Sequence, residues 1–355
     1  MARTAEPAHR PRDAAPAQNL VWGSGSLREL PAVADDLRCR RVLAVASRSA
    51  DPVVARLPGL LGGRYLGRWS DVPAHVPAHQ ANLAVGSAQE THADSVLAIG
   101  GGSAIGLGKI VSLALRLPLI AVPTTFSGAE RTSRYFVTTD RGKETGTSGR
   151  VLARAVLYDP ELVAGLPREV VAGSGITAVA HCLEVLCHPA SEEALASARE
   201  GLLLLWGSLT SLAAGARDLS TCQDALAGAG LAGHALHELG RPGVVHQLCD
   251  VVSTRCGLGY GLLYALFLPL VLRAYGDAAD GARAALAELR PGVSAEQSVA
   301  EFAVRLGLTA EVDPRRVAAS VGLGAAELRP LLAELSAAAG DRAESSVVER
   351  LAASW

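Results

Sequence analysis

The chain has 355 residues, 49% of them hydrophobic, and a formal net charge of -2, which is enough apolar material to bury a large core and points to two domains rather than one. So balanced a charge provides no basic stripe to neutralise a phosphate backbone, so nucleic acid is not an expected partner. The apolar runs, such as Leu262 to Leu272, are too short to cross a bilayer and suit a buried helix, so no membrane partner is expected either.

Residues 1–19 are rich in Ala, Pro and Arg without a continuous apolar core, which is wrong for a secretory signal and right for a disordered leader. Over 20–166, short apolar runs bounded by turn or polar residues read as strands at 41–46, 95–99, 118–122 and 154–158, with helical stretches between several of them. That rhythm predicts an α/β nucleotide-binding domain built on a parallel sheet covered on both faces. A boundary falls at Leu166-Pro167, since proline is favoured in the first turn of a following helix. Over 167–355 the pattern becomes long Ala- and Leu-rich stretches of helical period, interrupted at 240–243 and 257–261, so the second domain is expected to be all helical.

The six cysteines (Cys39, Cys182, Cys187, Cys222, Cys249 and Cys256) lack both the density of a disulfide framework and the CxxC pairs of a zinc site. They are expected to be small core residues in a reducing cytoplasm. Basic residues are almost all Arg, and the only lysines are Lys109 and Lys143. A coding bias explains scarce lysine, but a compact ammonium is not replaced by a planar guanidinium, so Lys143 becomes a functional candidate and Lys109, on a helix face, a weaker one.

The run Ile99-Gly-Gly-Gly-Ser-Ala-Ile-Gly-Leu-Gly-Lys109 reads as a strand entering a helix through a glycine turn. Gly100, Gly101 and Gly102 let the backbone approach a ligand closely, with Ser103 beside them, and Gly106 and Gly108 let the helix pack near the strand. Backbone N–H groups there would face a diphosphate. After the next strand, Thr124, Thr125 and Ser127 offer hydroxyls to the same ligand, while Ser127 and Glu130 also have the spacing of a capping box that would start a helix. Arg48 follows the first predicted strand and could pair with a 2′-phosphate, but Asp51 could equally accept ribose hydroxyls.

Together with Trp22-Gly-Ser-Gly-Ser26, Lys143-Glu-Thr-Gly146, Tyr158-Asp-Pro-Glu161, Ser174 to His181, and His246-Gln-Leu-Cys-Asp250, these segments resemble the iron-containing alcohol dehydrogenases, and most closely the maleylacetate reductases, whose fold is related to dehydroquinate synthase. The likeness spans nearly all of the chain after the leader. It implies a dehydroquinate synthase-like fold, NADPH or NADH as coenzyme, a cleft between the domains where nicotinamide meets substrate, and a homodimer. Metal-dependent relatives hold a divalent ion with an Asp and a His from one helix and two His from a later region. Position by position, the Asp is Thr177 here, where maleylacetate reductases usually have Asn, the two retained histidines are His181 and His246, and the last ligand is Tyr260. A further His near the proton path becomes Asp250. The resemblance therefore implies a degenerate metal site, and tight metal binding is not expected because Thr and neutral Tyr are poor ligands for a first-row cation.

Thr177 and His181 lie four apart, as do His246 and Asp250, so each pair faces one way on its helix. A carboxylate one turn from an imidazole can orient it and raise its pKa, which makes His246 and Asp250 a candidate acid/base dyad or else a satisfied buried pair. Tyr260 and Lys143 could add donors to an oxyanion or carboxylate. His181 is a candidate through its family position alone. Gly259, Tyr260 and Tyr264 make the pocket more aromatic and less basic than in the reductases. The expected activity is an NAD(P)H-dependent reductase or dehydrogenase acting on a carbonyl or conjugated enol. A non-redox enzyme of specialised metabolism on the same scaffold (elimination, isomerisation or cyclisation) and a non-catalytic binding protein stay open beside it, since fold likeness does not choose among them.

Overall fold

The computed structural model describes residues 17–140, 142–308, 330 and 342–354. Residues 1–16 of the predicted leader lie outside that set, but Gln18 donates to the carbonyls of Glu130 and Ala153, and Asn19 opens the first strand, so the sheet begins within the expected leader. The strands β1 (Asn19–Trp22), β2 (Val42–Ala46), β3 (Tyr65–Trp69), β4 (Ser95–Gly100), β5 (Leu119–Pro123) and β8 (Ala155–Tyr158) form one sheet in the order β1-β8-β5-β4-β2-β3. Every pairing in it is parallel. β6 (Arg134–Thr139) and β7 (Gly142–Thr147) make a separate antiparallel hairpin, which was not foreseen from the sequence.

The central strands alternate between two cores, as a pleated ribbon must. Leu43, Val45, Val96, Ala98, Leu119, Ala121, Val156 and Tyr158 face one cluster, while Val42, Ala44, Ala46, Leu97, Ile99, Ile120, Val122 and Leu157 face the other. Burial on both faces is why these strands read as continuous apolar runs. Helices α1 (Leu30–Asp36), α2 (Asp51–Val54), α3 (Leu57–Leu61) and α4 (Ala78–Glu90) connect the first strands. The first cluster continues into the helical half, through α6 (Arg168–Leu186), α7 (Glu192–Ala213), α8 (Leu219–Leu239), α9 (Val244–Cys256) and α10 (Tyr260–Tyr275). Gly108 permits close docking of α5 (Gly102–Leu115), because a methyl group there would lie 2.8 Å from the Ala98 Cβ. Leu262 to Leu272, read as a buried helix, sits inside α10, and all described residues from 168 to 306 outside connections are helical. Five cysteines are free and buried; the side chain of Cys256 lies outside the described set.

The strand order positions the site. From β2 the chain runs outward to β3, and from β4 it runs the other way to β5, so the carboxyl ends of β2 and β4 frame the crevice where ligands bind in open parallel sheets. The hairpin lies over this end. It is tied down where Thr138 donates its N–H to the Val76 carbonyl at 3.0 Å and its hydroxyl to the His75 carbonyl at 2.6 Å.

Candidate active site

A cavity of ≈ 580 Å³ lies between the sheet's carboxyl end and the helical half. Its mouth is the turn from β4 into α5. Gly101, Gly102 and Ser103 line it, with Thr125 and Ser127 opposite. A Cβ on Gly101 would stand 2.9 Å from the Thr125 Oγ1, so only glycine lets the two loops close on a ligand. Gly100 ends β4 behind this wall, and its carbonyl accepts the Thr124 N–H at 3.0 Å, so these two predicted residues join the loops rather than line the cavity. With the start of a fourteen-residue helix aimed at the opening, the turn fits a diphosphate. Ser47 lines the cavity, whereas Arg48 is exposed beside it and Asp51 is engaged by Arg68. The capping box does not form. Gly128 takes a left-handed conformation, only a short 3-10 turn follows, and the Glu130 carboxylate turns inward to accept the Tyr158 hydroxyl at 2.8 Å.

The floor is assembled from β7, α6, α9 and α10. Lys143 Nζ lies 2.5 Å from Asp250 Oδ1 and 2.6 Å from the Tyr260 oxygen, and Tyr260 donates to the same Asp250 oxygen at 2.6 Å. The ammonium also rests 3.9 Å from the centroid of Phe136, a cation–π contact that replaces part of its lost hydration. Register places Lys143 opposite Thr138 in the hairpin, which carries the lysine over the helices. Lys143 and Tyr260 line the cavity, and Asp250 stands behind them.

The predicted His246–Asp250 dyad needs correction. His246 Nε2 is 4.0 Å from Asp250 Oδ2, too far for a hydrogen bond, while Lys143 and Tyr260 both engage the other carboxylate oxygen. His246 instead has Nδ1 2.8 Å from the Tyr264 hydroxyl, its ring stacks on His181 with centroids 5.3 Å apart, and its backbone N–H donates to Glu184 at 2.8 Å. Its pKa is also shifted opposite to the expectation. Burial first, then Arg134, the neighbouring His181 ring and Lys143, hold it well below the ordinary imidazole range. Burial likewise brings His181 down to about 3, with Arg134 adding to the effect. Both rings are neutral at physiological pH. For Lys143 burial lowers the pKa against the pull of Asp250, and for Tyr260 burial and then Asp250 raise it, so the phenol keeps its proton.

Lys109 is not on an open helix face. It is buried, with Nζ bonded to the Thr132 carbonyl at 2.6 Å, the Thr132 hydroxyl at 2.9 Å and the Arg134 carbonyl at 2.8 Å, and burial lowers its pKa to about 7. Three residues not singled out from the sequence belong to the site. Arg134 and His75 line the cavity, and Glu184 supports His246 from below. His75 and Val76 both have left-handed backbones (φ 63° and 47°), an unusual conformation for a β-branched residue, held by the Thr138 bonds. Only Glu184 had a local signal, lying three residues from His181 on one helix.

A glycine turn at the switch point of a parallel sheet, facing proton-bearing side chains across one cavity, is the arrangement of a nucleotide-dependent enzyme with a two-part site. Residues 17–160 match the iron-containing alcohol dehydrogenase family and residues 171–337 match its C-terminal domain. The chain is 36% identical over 290 residues to maleylacetate reductase from Burkholderia cepacia, covering 81% of this chain and 82% of that one. It superposes on maleylacetate reductase from Agrobacterium tumefaciens with a TM-score of 0.81 at 28% identity, covering 96% of each chain. It also shares the fold of sulfoacetaldehyde reductase from Bifidobacterium kashiwanohense, solved in complex with NAD+, with a TM-score of 0.80 at 18% identity and 97% of each chain covered. The chain belongs to the iron-containing alcohol dehydrogenase family, and its relatives are oxidoreductases.

The family's metal can be tested against these residues. His181 and His246 offer imidazoles, and both ring nitrogens of His181 are buried without a hydrogen-bond partner. The remaining positions do not complete the set. Thr177 donates its hydroxyl back to the Gly173 carbonyl at 2.9 Å, and the protonated Tyr260 is committed to Asp250. Asp250 already holds the Lys143 ammonium. Among the described residues no three His, Cys, Asp or Glu side chains gather as an ion requires. Two neutral imidazoles beside a resident ammonium do not fit a tightly held divalent cation.

Proposed function

We propose that the protein reduces a carbonyl or conjugated enol substrate with NADH or NADPH, without a firmly held metal ion, and that Tyr260 and Lys143 handle the proton. The observation that carries this reading is the Lys143–Tyr260–Asp250 triangle on the floor of the cavity whose mouth is the Gly101–Ser103 turn. Family membership supports the redox class, and the NAD+ complex of the sulfoacetaldehyde reductase supports the coenzyme. Five buried free thiols suit a reducing, cytoplasmic setting.

Gly101, Gly102 and Ser103 would hold the diphosphate through backbone N–H groups at the start of α5, with Thr125 and Ser127 opposite. When bound, the nicotinamide supplies a hydride to the electrophilic carbon and is oxidised by two electrons. The chain supplies the accompanying proton. Tyr260 presents a phenol that burial keeps protonated. Its hydroxyl would turn from Asp250 to the substrate oxygen and give up its proton; Lys143, hydrogen-bonded to the phenol oxygen, would replace that proton, and the neutral amine left behind would take one from water. Asp250 keeps the ammonium charged in a place where burial alone favours the neutral amine. Positive charge from Lys143 would also stabilise the oxyanion that forms as hydride arrives. The neutral rings of His181 and His246 wall the chamber and can bond a substrate oxygen without competing for the proton.

The test is nicotinamide oxidation by the purified chain with maleylacetate as the first candidate substrate, alongside elemental analysis. Substrate-dependent oxidation of NADH or NADPH that changes by less than about twofold after chelation is expected. A stoichiometric transition metal whose removal abolishes turnover would refute the metal-free part. Product formed with no net change in nicotinamide redox state would point to the non-redox reading, which the rebuilt floor also allows.

A further inference from the structure

We infer that Arg134 is the residue that recognises a carboxylate on the substrate. The inference rests on the reductase reading for the identity of the cavity, and adds to it a charge requirement that neither the glycine turn nor the proton-bearing triangle imposes.

The cationic side chains lining the cavity differ in how they are neutralised. The Lys143 ammonium has Asp250. Lys109 is spent on two backbone carbonyls and a hydroxyl. The guanidinium of Arg134 has neither arrangement. It lines the cavity at the start of β6, its Nη1 is closed off from solvent without a hydrogen-bond partner, and no carboxylate among the described residues comes within 4.0 Å of it. Asp250 pairs with Lys143, and Glu130 gives one carboxylate oxygen to the Tyr158 hydroxyl and keeps the other buried without a partner. Glu169, an exposed residue of the first turn of α6, lines the same cavity without pairing with Arg134. A buried guanidinium N–H without an acceptor is costly, and planar guanidinium geometry matches a carboxylate.

Two further observations place this charge at the substrate end. Its field acts on His181, His246, Lys143 and Tyr260, four of the side chains of the floor. Lys109 clamps the Arg134 carbonyl at 2.8 Å, so the guanidinium is carried on a fixed strand and not on a mobile loop. A substrate whose carboxylate meets Arg134 would have its reducible carbon held beside Tyr260 and Lys143, so that binding energy from a non-reacting group orients the reacting one. An uncharged aldehyde or alcohol of the same size would leave the guanidinium unpaired.

The other anion that could reach a cationic wall is a coenzyme phosphate, and the experiment separates the two. Maleate serves as the carboxylate probe and dimethyl maleate as its uncharged counterpart, each titrated calorimetrically into the full-length chain with and without saturating NADH. For Arg134→Gln, maleate affinity should fall at least about tenfold while NADH affinity stays within about twofold, and Arg134→Lys should recover part of the loss. Unchanged maleate affinity in both variants would overturn the inference, as would dimethyl maleate binding as well as maleate, or an absence of maleate binding to the parent chain. Loss of NADH affinity with maleate binding intact would assign the guanidinium to the coenzyme and overturn it too. Arg134-dependent maleate binding in a chain that never oxidises nicotinamide would uphold the carboxylate site and remove the redox reading instead. Should the Gln variant fail to fold, the Lys variant, which keeps charge but loses the planar fork, decides the matter by the same affinities.

Discussion

The mouth and the floor of the cavity are built on opposite plans. The mouth is backbone: Gly101 to Ser103, contiguous in sequence, present N–H groups that no side-chain substitution elsewhere can replace. The floor is side chain: Lys143, His181, His246, Asp250, Tyr260 and Tyr264 arrive from four elements and are held by contacts across more than a hundred residues, as in the Lys143–Asp250 pair. A backbone site tolerates no drift, while a side-chain site can be rewritten one partner at a time provided that each buried polar group finds a new one. That difference explains how a chain can keep the glycine turn at the mouth while side chains of the floor, such as Tyr260 and Asp250, change around it.

The sharpest way to break this contrast is Lys143→Met. It should lower turnover by about 100-fold or more, the usual contribution of a positioned acid, while NADH affinity stays within about twofold. Because the pair is buried, the same change should destabilise the fold by about 3 kcal/mol, and Lys143→Met with Asp250→Asn should be more stable than the single variant, as denaturant midpoints would reveal. Equal losses in turnover and coenzyme affinity would mean that mouth and floor are not separate. Gly101→Val probes the other plan: crowding against Thr125 should weaken NADH binding by about 100-fold, read by tryptophan quenching, and cost about 1–3 kcal/mol of stability.

The neutral histidines provide a third handle. His181 binds a proton near pH 6.5 when unfolded but only at about 3 when folded, so the unfolded state takes up more protons as pH falls through that window. Stability should therefore decline from pH 6.5 toward 3 and level off below, by an amount on the order of a few kcal/mol, with His246 acting in the same direction. His181→Asn should flatten that decline in chemical denaturation across pH. The smallest effect belongs to Tyr264→Phe, which removes the hydroxyl at His246 Nδ1 and should cost about 1 kcal/mol in the same measurement.

Much of the scaffold could be read in advance. Four central strands were legible because a strand buried on both faces is apolar throughout, as Val42–Ala46 and Leu119–Pro123 are. β3 and the hairpin were not, since neither Tyr65–Trp69 nor Gly142–Thr147 is buried enough to carry that signature. In the site, local spacing put His246 and Asp250 on one helical face correctly but assigned the carboxylate to the wrong partner. The i, i+4 rule sees one helix, and the stronger competitor for Asp250 came from a hairpin folded over it from 107 residues away. Arg134 had no signal at all, because an arginine that begins a strand looks like any solvated one until the opposite wall is known.

What the amino-acid order determined alone was everything carried by short range and by solvent: the parallel sheet, the helical half, and the glycine turn whose function is a property of backbone conformation over a few residues. Tertiary structure decided which charges meet. Electrostatic partnership depends on distance and dielectric, and both exist only after α6, α9, α10 and the β6–β7 hairpin have packed around Lys143, with Arg134 lining the same cavity.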